Sequence, residues 1–277
     1  MPSRYNPLPI APLRASTVAI AAGIASALLH SSPASAVSVV RIPESSFTPA
    51  AGLITFSEYP LNTQNPSYTP AQYGGSPAQP NVSFDGWFLN QLLSSNPSVD
   101  CPGGSSTGCV VGIVSNPIAL DPSAPNTFIT SDGANPTSPV LSGSPLFNGP
   151  VGILFSKNVA GVGLSGGFFN AANSTAIKAY GRDGTLLGQT VNTGTGIEFL
   201  GLVTDDGSES IAGLLFSLIG PEPAGYAIDN VRFGLAGQVI PPNQVPAPLP
   251  AMGAAAAFGS IRRLRRLSSR LRPASVA

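Results

Sequence analysis

Three kinds of residue in this chain could do chemistry: two cysteines, Cys101 and Cys109, thirteen carboxylates, and one histidine, His30. His30 lies in an N-terminal apolar segment that reads as removable. The mature domain then contains no imidazole, which excludes Ser-His-Asp and Cys-His nucleophiles, histidine zinc sites and histidine general bases. The cysteines bound the loop Cys101-Pro-Gly-Gly-Ser-Ser-Thr-Gly-Cys109. Redox pairs and zinc sites need a two-residue spacing or histidine partners, so the expectation is a disulfide, worth about 2–3 kcal/mol in loop entropy.

The carboxylates leave two uses. A pair of them could hydrolyse a glycosidic bond, and Asp205, Asp206 and Glu209 cluster around Gly207, where a solvated turn is the competing reading. Calcium needs six to eight oxygens, which sandwich loops supply. Glu58 ends the first candidate strand and Asp229 sits between Ile228 and Val231 in the last. An acid inside an apolar strand is costly unless paired or metal-bound, so Glu58 and Asp229 are the candidate calcium ligands. The lone tryptophan, Trp87, shares strand parity with Asp85 in Phe84-Asp85-Gly86-Trp87-Phe88. Together they form a candidate sugar site, a ring for stacking beside a hydrogen-bond acceptor, with core burial of the indole as the alternative.

The elements that must position these residues are short. The chain holds 31 glycines and 29 prolines among 277 residues, and 9% of residues are charged, which favours frequent turns over long helices. Candidate strands are 53–59, 82–88, 110–115, 151–155, 159–168, 176–180, 186–191, 197–203, 211–218 and 226–233. Asp183-Gly184 and Asp206-Gly207 each read as hairpin turns, and from Gly149 onward the pattern reads as a meander. Residues 62–81 and 116–144 read as long surface loops. Strands at this spacing without helical crossovers imply an all-β fold, an antiparallel β-sandwich of jelly-roll type, with a barrel as runner-up.

Charge is segregated. Six arginines lie beyond residue 261, whereas residues 37–244 carry five basic groups against all thirteen carboxylates, a net −8. No basic surface is available to neutralise phosphates, so nucleic acid is excluded as a partner. Residues 1–36 combine arginines, an apolar stretch from Ala15 to Leu29 and Ala34-Ser35-Ala36. That is the pattern of a secretory signal helix cut after Ala36. The domains are then a signal over 1–36, an ectodomain over 37–240 and a tail over 241–277.

The tail reads Val245-Pro246-Ala247-Pro248-Leu249-Pro250, then an alanine-rich apolar segment to Ile261, then Arg262, Arg263, Arg265 and Arg266. It resembles the bacterial PEP-CTERM sorting signal, with Ala247 standing where the literal Pro-Glu-Pro form has glutamate. The region from Gly161 to Phe233, ending in Ala227-Ile228-Asp229-Asn230-Val231-Arg232-Phe233, is similar to ectodomains that often precede such signals. The resemblance implies a carbohydrate-binding-like sandwich without enzymatic activity, with export machinery and an exosortase-like processing enzyme as partners. It also implies a destination at the cell surface or in the extracellular matrix, and polysaccharide as the associated material. From Leu249 to Ile261 a helix would span about 20 Å against a hydrocarbon core of about 30 Å. The C-terminal hydrophobic helix therefore reads as a transient membrane stop that is cut. An interfacial helix with Ile261, Leu264, Leu267 and Leu271 on one face is the competing reading.

Overall fold

Turn-forming residues cut the chain into short extended segments that pair into two sheets. The computed structural model describes residues 37–101, 109–223 and 225–242. The signal segment with Ala34 and Ala36, the interior of the Cys101–Cys109 loop, and the tail with Val245, Pro246, Pro248, Leu249, Pro250 and its arginines all lie outside the described residues.

The strands are β1 (Val39–Arg41), β2 (Gly52–Ile54), β3 (Ser67–Tyr68), β4 (Val82–Asp85), β5 (Leu92–Leu93), β6 (Val110–Val111), β7 (Phe128–Thr130) and β8 (Val140–Ser142), followed by β9 (Val151–Val159), β10 (Gly161–Phe169), β11 (Thr175–Tyr180), β12 (Leu186–Val191), β13 (Gly196–Thr204), β14 (Ile211–Leu218) and β15 (Ala227–Gly234). Helix among the described residues is confined to α1 (Pro97–Asp100) and one 3-10 turn at Glu44–Ser46. None is long and apolar enough to cross a membrane.

One sheet runs β1-β13-β10-β15-β8-β7 with β2 also on β15, the second runs β12-β11-β14-β9-β4-β3, and β5-β6 form a separate ribbon. Every strand pair is antiparallel. The inner faces meet in one apolar layer in which Ile153, Phe155, Leu214 and Phe216 from the second sheet pack with Leu164, Leu200, Ile228 and Phe233 from the first. Each fully buried side chain of this size contributes about 1.5–3 kcal/mol relative to exposure. An all-β sandwich is therefore the observed fold.

Two readings of the strand order are corrected. The 62–81 and 116–144 stretches are not wholly loop, since they contain β3, β7 and β8. From residue 149 the chain is not a meander. It alternates between sheets, and Asp206-Gly207 carries it from β13 in the first sheet to β14 in the second. Asp183-Gly184 does close a hairpin, β11–β12, with Gly184 at φ 80°. Turn chemistry specifies a reversal of direction but not which sheet receives the next strand.

Strand β14 is buried at every position, because its sheet is covered on both faces. Outside the inner layer, Trp87, Phe88, Val110, Val114 and Ile118 fold back over Tyr180, Ala212 and Leu215. The Cys101–Cys109 disulfide, with Cα atoms 5.6 Å apart, closes part of this excursion.

Candidate functional site

The sequence-selected residues fall in three separate places. Trp87 is 8% exposed and belongs to the excursion's apolar cluster. Its indole N–H donates to Asp121 Oδ2 at 3.3 Å. Strand β4 ends at Asp85, so the alternation that paired Trp87 with Asp85 stops before the ring, and the ring turns into the cover of the second sheet. Packed this way, the indole offers no face to a sugar.

Asp85 is also buried, and its Oδ1 accepts the Gly86 N–H at 2.8 Å. Burial pushes its carboxyl up from the ordinary value, and the Asp121 charge adds to that. Asp121 moves the other way, held down chiefly by the Ser123 hydroxyl and amide. Two neighbouring acids with opposed shifts can divide acid and base roles. Here, though, both oxygens of Asp121 are committed, one to Ser123 and one to Trp87.

Glu58 and Asp229 come within electrostatic reach of one another. Asp229 is fully buried, and its carboxyl is pushed up to about 6 by burial, with the Glu58 charge contributing. A register shift between β10 and β15, with Asn230 at φ 48°, aims Asp229 at the loop joining β7 to β8, as bulges commonly re-aim a side chain. There it contacts the Thr137 hydroxyl and accepts the Asn230 N–H at 2.7 Å. Glu58 Oε1 accepts both the amide and hydroxyl of Thr55. Among the described residues no group of three or more His, Cys, Asp or Glu side chains is placed to share a metal ion. Asp205 and Asp206 instead support the crossover: Asp205 accepts the Ser38 hydroxyl and Asp206 the Ser208 N–H.

A concavity lies elsewhere, a cleft of about 380 Å³ lined by Asp132, Phe147, Phe168, Asn170 and Tyr226 with Ala134, Gly167 and Gly225. Phe168 is 47% exposed while its neighbour Phe169 is fully buried. The register between β10 and β13 slips between Gly166 and Phe169, which lets one of two consecutive phenylalanines leave the core.

The opposite wall is built by close backbone approach. Gly225, at φ 89°, would place a methyl group 2.2 Å from the Phe147 carbonyl oxygen, so no larger residue fits without displacement. Phe147 itself sits at φ 59°, an uncommon conformation for a bulky residue.

The polar groups are anchored from behind. Asp132, which lines the cleft, accepts the Ala134 N–H on Oδ1 at 2.9 Å. Buried Glu222 accepts the Asn170 N–H at 2.8 Å and the Ser174 hydroxyl at 2.8 Å, fixing the turn that presents the Asn170 side chain. The lining contains no lysine or arginine. The arrangement offers a partly exposed ring, one carboxylate and one amide, the combination that fits a hydroxylated ring with an apolar face. Sequence reasoning missed Phe168, Asp132, Asn170 and Glu222.

No protein-family model matches the chain, and no curated protein matches it. Among solved structures, a family 29 carbohydrate-binding module from Piromyces equi aligns over 71% of this chain and 89% of its own length, at 9% identity and a TM-score of 0.25. That score is too low to establish a shared fold.

Proposed function

We propose that this chain is an exported, non-catalytic protein of the cell surface or extracellular matrix that associates with polysaccharide. Its C-terminal signal holds it at the membrane until an exosortase-like enzyme processes it. The observation that carries the binding half of this reading is Phe168, an aromatic ring left half exposed at the mouth of a cleft that also presents Asp132 and Asn170. Export rests on the 1–36 and 241–277 segments, and the closed Cys101–Cys109 disulfide supports it because such bonds persist in oxidising compartments. The test is a glycan array probed with the full chain and with Phe168→Ala. Binding by the wild-type chain that the variant loses supports the reading, and no binding to any glycan overturns it. For sorting, the intact mass of protein recovered from the cell surface decides: an end near Val245–Pro250 supports cleavage, and retention of Arg262–Arg272 defeats it.

The second reading, a secreted carboxylate-dependent glycoside hydrolase, would need Asp85 and Asp121 as its acid pair, and both oxygens of Asp121 are already engaged by Ser123 and Trp87. Release of reducing ends from a bound glycan, abolished by Asp85→Asn, would replace the non-catalytic reading with this one.

A further inference from the structure

The cleft borders apolar side chains of the first sheet's outer face: Gly167 lines it, and a methyl group on Gly167 would sit 3.0 Å from Ile197. Along β13, Leu200 and Leu202 point into the sandwich, so Ile197 and Phe199 point outward. Ile197 is 37% exposed and Phe199 half-buried.

Phe199 lies across two glycines on adjacent strands. A methyl group on Gly163 would sit 2.5 Å from its ring and one on Gly201 2.7 Å. Only glycine at both positions lets the ring lie down on the sheet. At the other end, a methyl group on Gly196 would sit 3.7 Å from the Phe168 ring. Phe168 thus stands beside Gly196 at the start of β13, and Phe199 lies three residues further along that strand, about 10 Å of backbone at about 3.3 Å per residue. That spacing is on the scale of a disaccharide unit.

Polar groups flank the far ring. Glu44, held by Arg232 at 2.6 Å, lines the same shallow recess as Phe199, while Arg41 at its edge is turned toward the second sheet and engaged by Glu198 and the Val191 carbonyl. Paired charges of opposite sign present donors and acceptors to hydroxyl groups without favouring a charged ligand. The surplus of carboxylates over basic groups in residues 37–244 opposes an anionic polymer.

We infer that the strip from Phe168 through Ile197 to Phe199 is a track for an extended, neutral polysaccharide, and that the protein binds along a chain and not only at its end. This rests on the polysaccharide reading above and adds to it a second ring and a requirement for chain length.

The experiment titrates the full chain with neutral glucan, mannan and xylan oligomers, each as the disaccharide and the hexasaccharide. Phe199→Leu keeps the apolar packing against Phe47, whose ring centroid is 6.0 Å away, and removes only the flat face. Its melting temperature serves as the folding control. The expected result is that a hexasaccharide binds at least about tenfold more tightly than its disaccharide, and that Phe199→Leu removes that advantage. Phe168→Ala should weaken both lengths. Equal affinity for both lengths, or hexasaccharide binding untouched by Phe199→Leu, overturns the track while leaving the cleft reading standing. No binding of any hexasaccharide overturns both.

Discussion

The two outer faces of the sandwich treat their aromatic residues in opposite ways. Over the second sheet, residues 87–118 fold back so that Trp87 and Phe88 are sealed against Tyr180 and Leu215. Over the first sheet, the chain before β2 and after β15 covers one region, where Phe47 and Val239 pack on Val203 and against one side of Phe199, which stays half-buried. Phe168 and Ile197 stay in contact with water. The strands beneath are built alike, with alternating side chains and glycines. What differs is whether a long connection exists to cover them. The largest aromatic residue in the chain is therefore structural, and the candidate binding ring is an ordinary phenylalanine at a strand end.

The largest expected effect breaks this contrast on the sealed face. Trp87→Ala should cost about 3–5 kcal/mol, because the cavity left beneath the excursion cannot fully collapse. Chemical denaturation measures it. A loss under about 1 kcal/mol would mean that the cover is loosely held and the two faces are not different in kind.

A second effect of similar size concerns Asp229, under the loop that carries Asp132. Its carboxyl rises from the ordinary 3.8 to about 6 in the folded protein. A group whose folded value is raised contributes stability that is complete below the unfolded value and is lost as pH rises through the folded one. Stability should therefore fall between about pH 4 and pH 7, by roughly 3 kcal/mol from this group at 1.36 kcal/mol per unit. Asp229→Asn should flatten that slope, as urea titrations across the range would show. The same measurement tests calcium at Glu58 and Asp229. A bound cation would favour the ionised carboxylate, so with calcium present stability would rise with pH over this window, and chelator would restore the fall.

The disulfide comes next. Cys101→Ser with Cys109→Ser should lower stability by about 2–3 kcal/mol on the loop-entropy account. It should leave the β5–β6 pairing of Leu93 with Val110 intact, because those side chains also pack inward on the excursion's cluster. Loss of the whole cover on reduction, read as exposure of Trp87 fluorescence, would show that the sealed face depends on the covalent link.

How much of this was legible in the sequence varies by element. Strands β12 and β14 have the bounds that periodicity gave them, since long apolar runs between turn signals leave little choice. The β11–β12 hairpin was legible in Asp183-Gly184. The cover of the second sheet, residues 87–118 with Leu120 and Ala124, was not, because its Pro-, Gly- and Ser-rich composition describes a loop equally well whether it hangs in water or packs on a sheet. The candidate sugar site at Trp87 rested on parity, which holds only while the strand lasts, and β4 stops two residues earlier; the core-burial alternative is the one observed. Phe168 and Phe169 are adjacent and identical in type, so only the register slip on β10 says which one faces out.

The smallest expected effect on stability is the one that tests the open face most directly. Phe168→Ala removes a ring that is 47% exposed, and surface substitutions away from packed or strained features usually fall within ±0.5 kcal/mol. The unfolding midpoint should therefore barely move, in contrast to Trp87→Ala. If the variant instead loses 2 kcal/mol or more, Phe168 is a core residue that happens to show an edge, and the cleft has no platform. If stability holds while glycan affinity drops, the ring is kept at the surface by something other than folding, because leaving that much aromatic area in water gives up the burial free energy that the other phenylalanines gain. Stability and affinity measured on the same variant thus separate a ring that packs from a ring that binds.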